Sequence, residues 1–388
     1  MEFINVKLSD IGEVVGGSTP STKNPDNYDG NIAWITPKDL AGYNKVYISR
    51  GERNITEAGF KSCSTKMLPK NSVLFSSRAP IGYVAISEND LCTNQGFKSI
   101  IPNEKVDYKF LYYLLKHNKD YIASKGSGST FKEVSGSVMK GIELSIPKDI
   151  NDQRRISKVL FDIDKKIELN NEINNNLYDL LRTNYDDIFN NDDSRKIRLE
   201  EIVSIRRGAS PRPIQEYLSE KGVNWLKISD VTGIDSPFIY SIKEKIKDAG
   251  KSKSVFINKG TLVVSNSATP GIPKYIMVDT CVHDGWLILS EYDEKYRYYL
   301  YFLIEKIREK LISLSNGSVF NNLKTDILKG FMIGLPSDEQ LESFNYLATP
   351  IMHNINSNTK ENIELEQLRD TLLPKLMNGE IGLDNIEI

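Results

Sequence analysis

The sequence predicts a mixed α/β (α+β) protein: two similar domains separated and joined by two long antiparallel coiled-coil helices, with pseudo-twofold symmetry. Three observations predict it. First, the chain repeats itself at nearly half its length. Gly128, Ser129, Phe131, Lys140, Gly141 and Pro147 of SGSTFKEVSGSVMKGIELSIP return 189 positions later as Gly317, Ser318, Phe320, Lys329, Gly330 and Pro336 of NGSVFNNLKTDILKGFMIGLP. Second, each copy mixes short strand-like apolar segments with a helix-like one. Third, each copy is followed by an apolar pattern at alternating spacings of four and three, which is a coiled-coil seam.

Composition sets the outer bounds. A chain of 388 residues suits two to three domains. Its hydrophobic and charged fractions, 39% and 26%, are those of an ordinary globular protein. No run approaches the roughly 18 apolar residues of a membrane span, and MEFINVKLSD has no signal-peptide pattern, so a cytoplasmic protein is expected. Cys63, Cys92 and Cys281 read as reduced thiols, not as a disulfide framework or a zinc site. Lys+Arg minus Asp+Glu is +3 over residues 1–150, −4 over 151–193, +4 over 194–340 and −5 over 341–388. The two basic blocks can face phosphate; the two acidic ones are poor candidates for it.

Residues 1–150 form the first domain. VLFSS, YVAIS and FKSII read as strands bounded by Gly, Pro, Asn and Ser, and FLYYLLKHNKDYIAS (110–124) as a helix. Residues 194–340 form the second domain on the same plan. Gly17/Gly208, Pro20/Pro211, Trp34/Trp225, Asp39/Asp230 and Cys92/Cys281 fall in step. The two tryptophans sit in apolar segments and read as core.

Residues 151–193 form the central long helix. Its seam is Ile156, Leu160, Ile163, Ile167, Asn170, Asn174, Leu177 and Leu181. Residues 341–388 form the C-terminal long helix, with the seam Ile351, Ile355, Asn358, Asn362, Leu365 and Leu372. Asparagine on a seam lowers stability but fixes register and pairing. A helix over 153–189 would be ~55 Å long at ~1.5 Å per residue, a rigid spacer. Pro350 lies inside the second block. Proline removes a backbone donor and clashes with the preceding turn, so the helix is expected to start or kink there, and Pro374 to bend its end.

Catalytic constellations are nearly absent. His117, His283 and His353 are scattered, with no acid or cysteine at metal spacing. AGKS (249–252) lacks the upstream glycine of a phosphate loop. No glycine-rich dinucleotide cradle is present, and no metal site is expected.

Together these stretches resemble the specificity subunit of a type I restriction–modification system over essentially the whole chain. The residues that carry the resemblance are IPKDINDQRRISKVLFDIDKKIE (146–168), LRDTLLPKLMNGEI (368–381), the WITPKD and WLKISD segments, VLFSSRAPIGYVAI and the repeated Gly-Ser turn. The resemblance implies a non-catalytic protein with two target-recognition domains, each reading one half of a bipartite, asymmetric site on double-stranded DNA. It implies that the helices act as a ruler for the unread spacer and dock two modification subunits. Those subunits would carry S-adenosylmethionine and methylate adenine at N6. Restriction subunits would add ATP- and Mg-dependent translocation and cleavage. No cofactor is expected on this chain and no membrane partner. Two other readings stay open at this point: an assembly scaffold that does not read DNA, and a stand-alone methyltransferase or nuclease.

DNA readout uses Arg or Lys for guanine, Asn or Gln for adenine, and hydroxyls and cations for phosphate. In the second domain RRGASPRP puts Arg206, Arg207 and Arg212 on a Gly/Pro turn, and Lys227 and Asn266 join them as candidates. The first domain has Ser18, Thr19 and Lys23 at the equivalent turn, with Lys38, Arg78 and Lys132 elsewhere. Asn94-Gln95 aligns with His283-Asp284, a polar pair that differs between the halves; two readings stay open, bonding a neighbouring loop, which is preferred, and reading bases.

Overall fold

The computed structural model describes residues 1–128, 132–190, 194–315 and 322–382. Ser129, Phe131, Gly317, Ser318 and Phe320 of the repeated turn lie outside them. The chain divides into two compact units, Met1–Leu169 with Asn362–Ile388, and Asn170–Glu361. Each long helix is thus shared between units, where the sequence suggested separate helical blocks.

In the first unit a five-stranded sheet runs in the order Gly12–Gly16, Lys98–Pro102, Val73–Ser77, Ile81–Ser87, Tyr47–Ile48. Its middle strand is buried along its whole length, so VLFSS is a continuous run and not an alternation. Successive side chains still point to opposite faces. Val73 and Phe75 meet Phe110, Leu111 and Leu114 of helix Tyr108–His117, while Leu74 joins Ile35, Leu40 and Phe97 on the other face. Asp107 caps that helix, accepting from the Phe110 amide at 2.9 Å.

The second unit repeats the sheet order with Ser204–Arg207, Trp286–Ser290, Thr261–Ser265, Pro273–Ile276 and Phe238–Ile239. Leu262 and Val264 face helix Arg297–Ser315, and Val263 faces away. Both domains are closed by pairing their first and last strands: Phe3–Lys7 with Glu143–Pro147, and Lys196–Arg198 with Met332–Gly334. The Trp/Cys matches of the repeat are strand partners. Trp34 lies opposite Cys92 and Trp225 opposite Cys281, each pair in a parallel ladder. Both tryptophans are buried, as core residues.

The long helices are Ile150–Phe189 and Asp338–Met377. The seam is buried at Ile156, Leu160, Ile167, Asn170, Leu181, Ile351, Ile355 and Asn362. It is half-buried at Ile163, Asn174, Leu177, Asn358, Leu365 and Leu372. Within the second unit the helices run antiparallel. Asn170 donates to Glu361 at 2.8 Å, Asn358 to Asn174 at 2.9 Å, and Gln340 to the Ile188 carbonyl at 2.8 Å. Numbers rise along one helix as they fall along the other. Within the first unit Arg369 donates to Asp164 at 2.7 Å, and Asp164 accepts from the Tyr113 hydroxyl at 2.6 Å. Arg369 continues the 4-3 spacing between Leu365 and Leu372, so it occupies a seam position that the apolar pattern concealed.

The expected start at Pro350 is corrected: the helix begins at Asp338 and passes through both Pro350 and Pro374. Pro350 denies a donor to the carbonyl four residues earlier, that of Tyr346. Tyr346 is 88% exposed, and Pro350 is exposed too, so the freed carbonyl lies on a face that water can satisfy.

Candidate nucleic-acid interface

In the second domain the turn after strand Ser204–Arg207 runs against the turn after Thr280–Val282. A Cβ on Gly208 would meet the His283 carbonyl oxygen at 2.2 Å; one on Gly17 would meet the Thr93 carbonyl at 2.1 Å. Only glycine permits this approach, which explains why both copies keep it. The Ala209 and Ser18 amides then donate to the Val282 and Thr93 carbonyls, at 3.0 and 3.1 Å.

Asp284 organises the second-domain turn. Its carboxylate accepts from the Ser210 hydroxyl at 2.7 Å and from Arg212 Nη2 at 3.4 Å, and Arg207 Nη2 stands 4.0 Å away. Arg207 Nε donates to the Asp284 carbonyl at 2.7 Å. His283 Nδ1 accepts the Gly285 amide at 2.8 Å, so the neutral ring carries its proton on Nε2, 3.1 Å from the Asp284 carboxylate. Burial holds the His283 pKa below its ordinary value, and Lys227, Arg207 and Arg212 push the same way against Asp284. Burial alone would raise the Asp284 carboxyl; Ser210, His283 and Arg207 outweigh it and hold it below the ordinary carboxylate value. A cavity of about 560 Å³ opens beside this group, walled by Pro211, Pro213, Ile214 and Trp225.

The structure thus brings Arg207 and Arg212 together on Asp284, for which the sequence leaves both base reading and loop bonding open. Lys227 ion-pairs with Glu244 and stands 6.0 Å from the Trp225 ring, beside the same turn. Arg206 is exposed on its strand, on the opposite face from Arg207. Asn266 requires correction as a DNA-contact candidate. It is 2% exposed, and its amide donates to the Asp284 carbonyl at 3.2 Å. It holds the turn from beneath.

In the first domain Thr19 donates its hydroxyl to Gln95 Oε1, the aligned counterpart of Ser210 and Asp284. Asn94 Oδ1 accepts the Gly96 amide at 2.8 Å, as His283 does for Gly285, so Asn94 bonds its own turn while Gln95 stays exposed. The turn itself is pinned: Trp34 Nε1 donates to the Ser18 carbonyl at 3.1 Å and Tyr28 to the Pro20 carbonyl at 2.7 Å. Lys98 links the Gln95 carbonyl (3.5 Å) to Glu133 (3.3 Å), and Arg78 reaches Glu133 at 3.6 Å. Lys132, exposed, neighbours Glu133 in sequence. Lys38 ion-pairs with Glu52 at 2.7 Å, and the preceding Pro37 ring comes close to Gly96. Lys23 is exposed on the Ser21–Asn24 turn. Sequence reasoning missed Lys98 and Glu133. Their link to Arg78 spans separations no local pattern reports.

Among the described residues no group of His, Cys, Asp and Glu is placed to hold a metal ion, and no helix is long and apolar enough to cross a membrane.

The type I restriction modification DNA specificity domain matches the chain twice, over residues 2–178 and 191–367. A type I restriction enzyme specificity subunit of Methanocaldococcus jannaschii is 34% identical over 98% of this chain and 94% of that protein. One of Escherichia coli is 30% identical over 44% of this chain and 42% of that protein. In fold, the chain is similar to a type I restriction–modification S subunit from M. genitalium, with TM-score 0.63 and 17% identity over 97% of this chain and 96% of that one.

Proposed function

The chain belongs to the type I restriction–modification DNA specificity family, and from that premise we infer that it is the specificity subunit of such a system. It is a non-catalytic, sequence-specific DNA-binding component. Two specificity domains in one chain correspond to a bipartite site, one half per domain. The observation that carries this reading is the duplicated turn. Each domain places a hydroxyl–acceptor pair, Thr19–Gln95 or Ser210–Asp284, on a glycine-shaped turn with different polar chemistry.

The protein works in assembly with the other subunits of its system and with DNA. The finer composition is our proposal: two modification subunits that use S-adenosylmethionine to methylate adenine at N6, and restriction subunits that use ATP and Mg. Family membership supports it. We also infer that the long helices fix the unread spacer, supported by the unbroken helix Ile150–Phe189, and that the complex is cytoplasmic.

The test is genome-wide adenine methylation in a host lacking other such systems, with this gene co-expressed with its modification subunit and then deleted. A split motif should appear with the gene and vanish without it. A continuous motif would refute the ruler; stable complexes without methylation would point to a scaffold.

A further inference from the structure

The two domains carry the same turn with different chemistry at its tip, and this contrast points to particular bases. Thr19 aligns with Ser210 and Gln95 with Asp284. In both, a hydroxyl donates to the longer side chain and holds it in place. In the first domain the held group is an exposed amide. With Oε1 turned toward Thr19, Gln95 keeps its Nε2 amino group and a second lone pair on Oε1 without partners among the described residues. In the second domain the held group is a carboxylate that in turn holds an arginine. Arg212 gives Nη2 to Asp284 at 3.4 Å while its side chain stays 81% exposed. Its Nε and Nη1 have no partner among the described residues. The backbone is constrained as well, because a residue before proline is pushed to extended conformations and Arg212 sits between Pro211 and Pro213. A guanidinium so held loses little freedom on binding and presents a flat fork of donors.

We propose that these corresponding turns are the base-reading subsites of the two domains, Gln95 reading an adenine in one half-site and Arg212, positioned by Asp284, reading a guanine in the other. The assignment rests on the DNA-specificity function inferred above. The chemistry selects the bases. An amide with one donor and one acceptor free matches adenine N7 and N6, and a guanidinium fork matches guanine N7 and O6, both in the major groove. Asp284 itself is a positioning residue. Its carboxylate is occupied by Ser210, His283 and Arg212, which leaves it poorly placed to accept from a cytosine or adenine amino group.

The experiment reads the methylated motif genome-wide from the chain co-expressed with its modification subunit. Gln95→Ala should open one adenine position in one half-site and leave the other half unchanged. Arg212→Ala should open one guanine position in the other half, with discrimination there falling about 5- to 150-fold. The untouched half-site reports that each variant is folded. Arg212→Lys keeps the charge and loses the fork, so it should relax the same position. Asp284→Asn keeps an acceptor for Ser210, removes the charge that holds Arg212, and should relax that position less than Arg212→Ala. Should Arg212→Lys leave every position unchanged while Arg212→Ala weakens methylation evenly, Arg212 contacts phosphate and the assignment fails. A wild-type split motif that survives the Gln95 and Arg212 substitutions intact would overturn the assignment alone. A wild-type chain that yields no split motif would overturn the function and the assignment together.

Discussion

Removing the carboxylate of Asp164 should cost this protein more stability than removing the whole polar group around it. Asp164 has only 7% of its side chain exposed; it accepts from Tyr113 at 2.6 Å and from Arg369 at 2.7 Å. Burial works against the Arg369 charge, but Asp164 outweighs it and raises that pKa above the ordinary arginine value. Alanine at 164 strands a guanidinium that is 17% exposed, leaves it the exposed Asp370 as its ion-pair partner among the described residues, and orphans a buried phenol. Breaking a buried pair from one side costs about 3–5 kcal/mol. The chain contains its own apolar counterpart. The repeat maps Tyr113, Asp164 and Arg369 onto Phe302, Met352 and Leu181, which are buried together in the core of the second unit. The triple change Tyr113→Phe, Asp164→Met, Arg369→Leu should therefore leave stability within about 1 kcal/mol of wild type, or raise it, as apolar replacements of buried ion pairs do. Denaturant titrations followed by circular dichroism compare the three proteins. A loss below about 1 kcal/mol for Asp164→Ala, the size of an exposed pair, would show that Asp164 and Arg369 do not form a buried pair. A triple variant as unstable as the single one would contradict the apolar replacement.

Other outcomes follow from single features. Pro350→Ala should stabilise the C-terminal helix by up to about 3 kcal/mol, because it restores the missing donor to Tyr346; thermal or denaturant unfolding would show it. Gly208→Ala should erase recognition of one half-site and Gly17→Ala the other, since a Cβ cannot stand 2.2 or 2.1 Å from a carbonyl oxygen; the methylated motif reports which half is lost. Burial raises the pKa of Tyr113, Tyr185, Tyr275 and Tyr301 well above the ordinary tyrosine value. Their protons leave the unfolded chain first, so stability from these groups is intact below pH ~10 and falls above it, with four such groups contributing about 5 kcal/mol per pH unit. Tyrosinate absorbance of this buried set should appear together with loss of helix; titration near pH ~10 with helix intact would contradict the placement.

The sequence told most about what repeats and least about what converges. The 189-residue offset exposed the duplication that the twice-matched specificity domain shows, and Trp34/Cys92 and Trp225/Cys281, matched only by alignment, are strand partners. The 4-3 spacing located the seam because burial follows helical period. Arg369 escaped it because a charged residue on a seam looks like a gap until its partner, 205 positions away, is known. Pro350 misled because proline propensity is local, whereas the solvent exposure that makes it tolerable is set by tertiary packing. At the interface the arginines were visible as a cluster, but their organiser was not. Asp284 lies 77 positions from Arg207 and 72 from Arg212, and nothing local in the sequence shows that Asn266, 18 positions from it, is buried beneath it.

If each domain reads its own half of the site, exchanging one domain must change one half alone. The most direct measurement exchanges residues 194–340 for the corresponding domain of a relative with a different methylated motif. The motif is then read genome-wide beside wild type. One half of the motif should change to the donor's while the other half stays as it was. A motif that changes in both halves, or in neither while methylation persists, would show that the domains do not read separate halves.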